Sequence, residues 1–117
     1  YDAAVKSLVE NPDSRRSTMI YIRPSMQTDF CKNGMSDFMC TYSTQHLIRD
    51  NKLHYIVFMR SNDAIFGYKN DYHWHKYVFD HMLAELRITY PLLEPGDIIW
   101  NSGSLHVYER HFNLLEV

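Results

Sequence analysis

Glycine is scarce: the 117 residues hold four, none in a GxGxxG or Walker pattern, so the chain has no glycine-rich cradle for a phosphate. An excess charge of either sign is missing too. Twelve Lys and Arg against fourteen Asp and Glu leave a formal net charge of -2, and the basic residues are scattered. That argues against electrostatically driven binding to nucleic acid or to an anionic membrane, and leaves room for a small anionic ligand. No apolar run approaches the ~18 residues of a membrane span, and Tyr1-Asp2-Ala3 has none of the look of a basic leader. A soluble, cytoplasmic protein is expected. Cysteine is limited to Cys31 and Cys40, which without a secretory signal read as free thiols in a reducing compartment. There is no closely spaced Cys/His ligand set, and His73 and His75, two apart on a predicted helix, point to nearly opposite sides, so no metal is expected.

What is present is the material of one core: 45% hydrophobic and 15% aromatic residues. A chain this short buries about 65% of its unfolded surface, which leaves little surplus for an open-faced sheet. A partner subunit would help. Because the first residue is Tyr and an apolar periodic segment begins at once, the chain is expected to start inside a longer protein.

Ala3, Ala4, Leu8 and Val9 predict a short helix that stops at Asn11-Pro12-Asp13-Ser14, with Arg15 and Arg16 just past the turn. Thr18 to Arg23 reads as a strand ending at Pro24, followed by a polar loop to about Ser36. Cys40 to Arg49 and Leu53 to Arg60 predict a hairpin around Asp50-Asn51-Lys52. Large apolar residues fall on both faces of 53–59, which predicts a central strand covered on both sides. Trp74, Tyr77, Val78, Met82 and Leu86 predict a long core helix over 71–86, capped by Asn70 or Asp71. Pro95-Gly96-Asp97 turns the chain into Ile98-Ile99-Trp100, and 105–108 continue as extended chain.

Singly, the chemical residues are weak signals. Cys40 reads as a small inert core residue, Asp71 as a helix cap, Arg60-Ser61 as a solvated strand end, and His106 with Tyr108 as two polar-tipped residues on one strand face. Taken in order they change meaning. Asn11-Pro12-Asp13-Ser14-Arg15-Arg16, Met39-Cys40-Thr41, Arg60-Ser61-Asn62-Asp63, Phe66-Gly67, Pro95-Gly96-Asp97 and His106-Val107-Tyr108 together resemble the thymidylate synthase superfamily. Within it, Arg23-Pro24-Ser25-Met26-Gln27, Gly34-Met35-Ser36-Asp37-Phe38-Met39-Cys40-Thr41 and Ser104-Leu105-His106-Val107-Tyr108 resemble the deoxycytidylate hydroxymethylases of T-even-type phages.

The resemblance implies an α+β fold, with a mixed or antiparallel sheet and a long core helix. Residues 1–117 would form a single C-terminal, nucleotide-binding and catalytic part. It also implies a reaction: dCMP, 5,10-methylenetetrahydrofolate and water giving 5-hydroxymethyl-dCMP and tetrahydrofolate, in the cytoplasm of an infected host if phage-encoded. Cys40 would be the nucleophile that adds to C6 of the base. A free thiol is only a few per cent ionised at neutral pH, so a cation such as Arg60 beside it would help. Arg60 and Ser61 would hold the phosphate, and Arg15 and Arg16 would reach the neighbouring site of a homodimer. His106 and Tyr108 would bind the sugar 3'-hydroxyl, and Asp63 would face the pterin of the folate. Asp71 would choose the base, because a protonated carboxyl donates to cytosine N3 and accepts from its amino group, where the superfamily's dUMP enzymes carry Asn.

Two departures qualify this. The superfamily usually has Pro-Cys-His around the nucleophile, whereas Met39-Cys40-Thr41 stands here. Its N-terminal half, which supplies an active-site glutamate, a mobile phosphate-binding arginine and much of the folate wall, has no counterpart in these residues. The alternatives are therefore dUMP methylation, CMP hydroxymethylation, or a nucleotide-binding piece without catalysis.

Overall fold

The computed structural model describes residues 1–29, 31–32 and 38–115. Gly34, Met35, Ser36 and Asp37, part of one motif above, lie outside the described residues. The elements run α1 (Asp2–Glu10), β1 (Thr18–Ile20), α2 (Met26–Asp29), β2 (Thr41–Arg49), β3 (Lys52–Asp63), α3 (Gly67–Thr89) and β4 (Glu94–His106), then a 3-10 turn segment over Glu109–Leu115. The sheet has the order β1-β2-β3-β4. Its first three strands are antiparallel neighbours and β4 is parallel to β3, so the sheet is mixed. A parallel neighbour needs a long crossover, and α3 supplies it.

The hairpin between β2 and β3 is tighter than the three-residue turn expected from sequence. Arg49 pairs directly with Lys52, which leaves Asp50 and Asn51 as the loop, with φ of 51° and 58°. Both central residues are left-handed, the geometry that matches strand twist, and Asp and Asn tolerate it. Asn51 then ties the hairpin to the start of β4: its Nδ2 donates to Leu92 O at 2.7 Å and its carbonyl accepts from Glu94 N at 3.0 Å.

Other boundaries moved for physical reasons. β1 ends at Ile20, three residues short of the strand read from sequence. Pro95-Gly96-Asp97, expected to be a turn, lies inside β4. β4 is the last strand of the sheet, where a proline's missing N–H can be tolerated. Gly96 is required by close approach, since a Cβ there would lie 2.6 Å from Leu53 O and 2.7 Å from the His54 ring. Helix α3 begins a turn before the expected start, and neither Asn70 nor Asp71 caps it. The Asp63 carboxylate does so instead, accepting from Ile65 N at 3.2 Å, Phe66 N at 3.4 Å and Gly67 N at 3.3 Å.

The core lies between one face of the sheet and the helices. Leu53, Tyr55, Val57 and Met59 from β3 pack with Val78, Phe79, Met82, Leu83 and Leu86 from α3 and with Ala4 and Leu8 from α1. β3 is central, as its apolar run implied, but the described residues cover it on one side only. The opposite face leaves Ile20 at 75%, Phe58 at 37% and Ile99 at 44% exposure.

Two imidazoles are sealed into the core. His46 sits between Ser17 Oγ and Thr44 Oγ1, each at 2.9 Å, and His75 lies 3.2 Å from Tyr55 Oη and 3.4 Å from Thr41 Oγ1. Burial pushes both imidazoles down to about 4. The unfolded chain, with ordinary histidines near 6.5, then binds more protons than the native state between pH 6.5 and 4. Stability is therefore full above pH 6.5 and falls on acidification by about 1.4 kcal/mol per pH unit for each imidazole. Urea midpoints of the full-length protein at pH 7, 5.5 and 4.5 should drop accordingly, and His46→Gln should flatten the slope. An unchanged slope in that variant would show that His46 is not neutral in the fold.

Candidate functional site

The antiparallel pairing of β2 and β3 slips between Thr41 and Ser43, a bulge one residue beyond Cys40. Bulges re-aim neighbouring side chains and often lie beside reactive groups. Cys40 is exposed and unpaired, which removes the inert-core reading. Its carbonyl accepts from Arg60 N at 2.8 Å, which sets the two residues side by side.

The Arg60 side chain folds over this strand end. Nε donates to Met39 O at 2.9 Å, Nη2 donates to Phe38 O at 2.7 Å, and Nη2 also reaches Cys40 Sγ at 3.9 Å. The guanidinium stacks on the Phe38 ring, 4.8 Å from its centre. A fixed positive charge thus stands beside the thiol. No described residue takes the Nη1 donors.

Asp71 lies in the second turn of α3, half-buried, where desolvation raises its pKa above the ordinary carboxylate value. Because Asp63 does the capping, the Asp71 carboxyl is free for another partner. Its Oδ2 accepts from Asn62 Nδ2 at 3.2 Å, and Asn62 Oδ1 accepts from Trp100 Nε1 at 3.0 Å. Asn62 is two residues along β3 from Arg60, and Thr41, next to Cys40, contacts His75, one turn along α3 from Asp71. These links bring the thiol, the guanidinium and the carboxyl to one end of the sheet.

Sequence reasoning missed Asn62. Along β3 the buried positions alternate through Leu53, Tyr55, Val57 and Met59, and then the phase shifts so that Asn62 is buried at 2% exposure. A strict period of two assigns Asn62 to the other face. The one available signal was a short amide inside the Arg60-Ser61-Asn62-Asp63 run.

Asp63 ends β3, paired with His106 of β4. Desolvation pushes its carboxyl up, but the backbone N–H groups of Ile65, Gly67 and Phe66 together hold it below the ordinary value. A carboxylate has about four acceptor positions, so one remains for a ligand. Beside it, Ala64, Tyr68, Trp100, Ser102 and Leu105 line a hollow of about 400 Å³. β4 stops at His106, so Tyr108 stands beyond the strand, yet the two rings meet edge to face at 5.3 Å.

Arg15 and Arg16 are exposed and line an open concavity with α1. Arg15 O accepts from Gln45 Nε2 at 3.1 Å, and Gln45 is five residues up β2 from Cys40, about 17 Å along an extended strand. The structure does not bring these arginines to Cys40 within one chain. Nor are Cys40, Arg60 and Asp71 among the residues lining that concavity or the hollow at Trp100. Cys40 is exposed and Asp71 half-buried, so among the described residues this end of the sheet is an open shelf.

The thymidylate synthase family model matches residues 1–117. The chain belongs to the thymidylate synthase family. A thermostable thymidylate synthase A from Bacillus subtilis superposes with a TM-score of 0.76 at 31% identity, over 97% of this chain and 37% of that one. The α+β fold expected from the resemblance is therefore the fold observed. The chain is 56% identical to the deoxycytidylate 5-hydroxymethyltransferase of Enterobacteria phage T6, over 99% of its own length and 48% of the relative's. The enzyme of the same description from phage T4 is 55% identical over the same shares. A thymidylate synthase of Bacillus subtilis subsp. natto is 35% identical, over 99% of this chain and 38% of that protein. The chain thus spans about half the length of the hydroxymethyltransferases it matches.

Proposed function

We propose that the protein containing this chain hydroxymethylates C5 of deoxycytidylate by way of a covalent bond between Cys40 and C6. The observation that supports this most is the Arg60 guanidinium lying 3.9 Å from the Cys40 sulfur at the end of the sheet where Asp71 is held. C5 of a pyrimidine is a poor nucleophile; addition of the Cys40 thiolate to C6 turns C5 into an enamine-like carbon. Arg60, with Ser61, grips the nucleotide phosphate through the donors that no described residue takes. Asp71, partly desolvated, keeps a proton to higher pH than an exposed aspartate, as recognition of cytosine N3 requires. His106 and Tyr108 hold the sugar 3'-hydroxyl.

A folate, 5,10-methylenetetrahydrofolate, supplies the one-carbon unit as cosubstrate. The spare acceptor position of Asp63 and the aromatic wall of Tyr68 and Trp100 beside it fit a flat heteroaromatic ring. Water, rather than hydride, completes the transfer. The C5 proton is lost to solvent, and elimination of Cys40 restores the ring.

The protein works as a homodimer in this reading. The bare face bearing Ile20, Phe58 and Ile99 suits a second copy, and Arg15 and Arg16, remote from their own Cys40, serve the neighbour's phosphate. Sedimentation of the full-length protein as a monomer would refute that. The chain spans about half the length of the hydroxymethyltransferases it matches, so catalysis is assigned to the full-length protein. Given [5-³H]dCMP, [5-³H]CMP and [5-³H]dUMP with the folate, the full-length protein should release tritium fastest from dCMP. Faster release from dUMP would favour thymidylate synthesis, and release from none would leave nucleotide binding alone.

A further inference from the structure

Asp71 alone does not explain a choice between cytosine and uracil. A primary amide at its position could meet either base by turning over about its last bond, presenting oxygen to uracil N3–H or nitrogen to cytosine N3. Something must fix which end faces the base. We propose that Asn62, locked by Trp100, fixes the donor and acceptor sense of residue 71 and is thereby the positioning residue for base specificity. This rests on the reading of Asp71 as the base-contacting group.

Each atom's capacity to donate or accept fixes the chain of hydrogen bonds. An indole N–H can only donate, so the atom 3.0 Å from Trp100 Nε1 must be the Asn62 oxygen. The Asn62 nitrogen must then be the atom 3.2 Å from Asp71 Oδ2, and it too can only donate. Oδ2 is committed as an acceptor, so the two carboxyl oxygens are no longer equivalent. Packing holds both partners. Asn62 is 2% exposed, and the half-buried Trp100 ring packs against Tyr68, His75 and Tyr72, with ring centres at 5.3, 5.5 and 6.4 Å.

The same donor acts on any residue at 71. In an Asp71→Asn variant it holds the amide oxygen on its own side and leaves one orientation toward the base. A preference for dUMP in that variant corresponds to the held oxygen meeting ring N3, and a retained preference for dCMP to the held oxygen meeting the 4-amino group.

The test is kcat/KM for dCMP and dUMP, measured in competition on the full-length protein. In Asp71→Asn one nucleotide should be preferred by about 100-fold. Adding Asn62→Leu, similar in size but without a donor, frees the amide to turn, and the preference should collapse to about threefold or less. Adding Trp100→Phe instead should give an intermediate loss, and it serves where Asn62→Leu fails to fold. A purely structural role for Asn62 would slow both nucleotides together and leave the ratio alone; that result overturns the proposal while the substrate reading survives. A wild-type protein that turns over neither nucleotide overturns both. A persistent dCMP preference in Asp71→Asn that collapses with Asn62→Leu supports Asn62 and revises only the sense in which it holds residue 71.

Discussion

Cys40→Ser in the full-length protein should abolish tritium release from [5-³H]dCMP, with a loss of about 10⁴-fold or more, as expected when a group that forms the covalent intermediate is removed. Exchange at C5 requires addition at C6 first, because only the saturated C5–C6 bond makes that proton labile. A serine hydroxyl is not ionised at neutral pH and is a far weaker nucleophile than a thiol. Nucleotide binding should survive, since Cys40 is exposed and contributes nothing to the core. Retained exchange in Cys40→Ser would rule out the covalent route, whereas lost binding would mean that the sulfur supports the shelf.

Asp71→Asn should move the preference from dCMP toward dUMP. A site built to hydrogen-bond one pattern leaves its buried groups unpaired against the other, a penalty that can reach about 10⁴-fold in kcat/KM. The partial desolvation that raises the Asp71 pKa heightens that penalty. Competition between the two nucleotides reads the ratio directly. A ratio unchanged both in Asp71→Asn and on adding Asn62→Leu would remove Asp71 from base recognition and with it the role of Asn62.

The fold was legible where local chemistry decides it. The apolar run of β3, the helical period ending at Leu86 and the turn formers at Asp50-Asn51 each carry their own signal. What sequence could not give depends on contacts between distant residues. Asp63 caps α3 because β3 delivers it there, whereas Asn70 and Asp71, both good caps in isolation, fall inside the helix. Pro95-Gly96-Asp97 has turn composition but is drawn into β4 by pairing with β3. The one-sided cover of β3 was hidden because apolar residues on both faces say that both are buried somewhere, not that one chain buries them.

The candidate site divides in the same way. Cys40 and Arg60 stand in ordered motifs and Asp71 follows from the position the resemblance assigns it; the structure adds how two of them touch and what holds the third. Asn62 and Trp100 were invisible because their pairing spans 38 residues and a shift in strand phase.

The central claim is that one nucleotide lies across the thiol, the guanidinium and the carboxyl. A crystal structure of the full-length protein with dCMP tests it most directly. The account predicts C6 about 3.5 Å or less from Cys40 Sγ, the phosphate on Arg60 and the N3 edge of cytosine on Asp71; a nucleotide bound elsewhere, or with its base turned from Cys40, would contradict it.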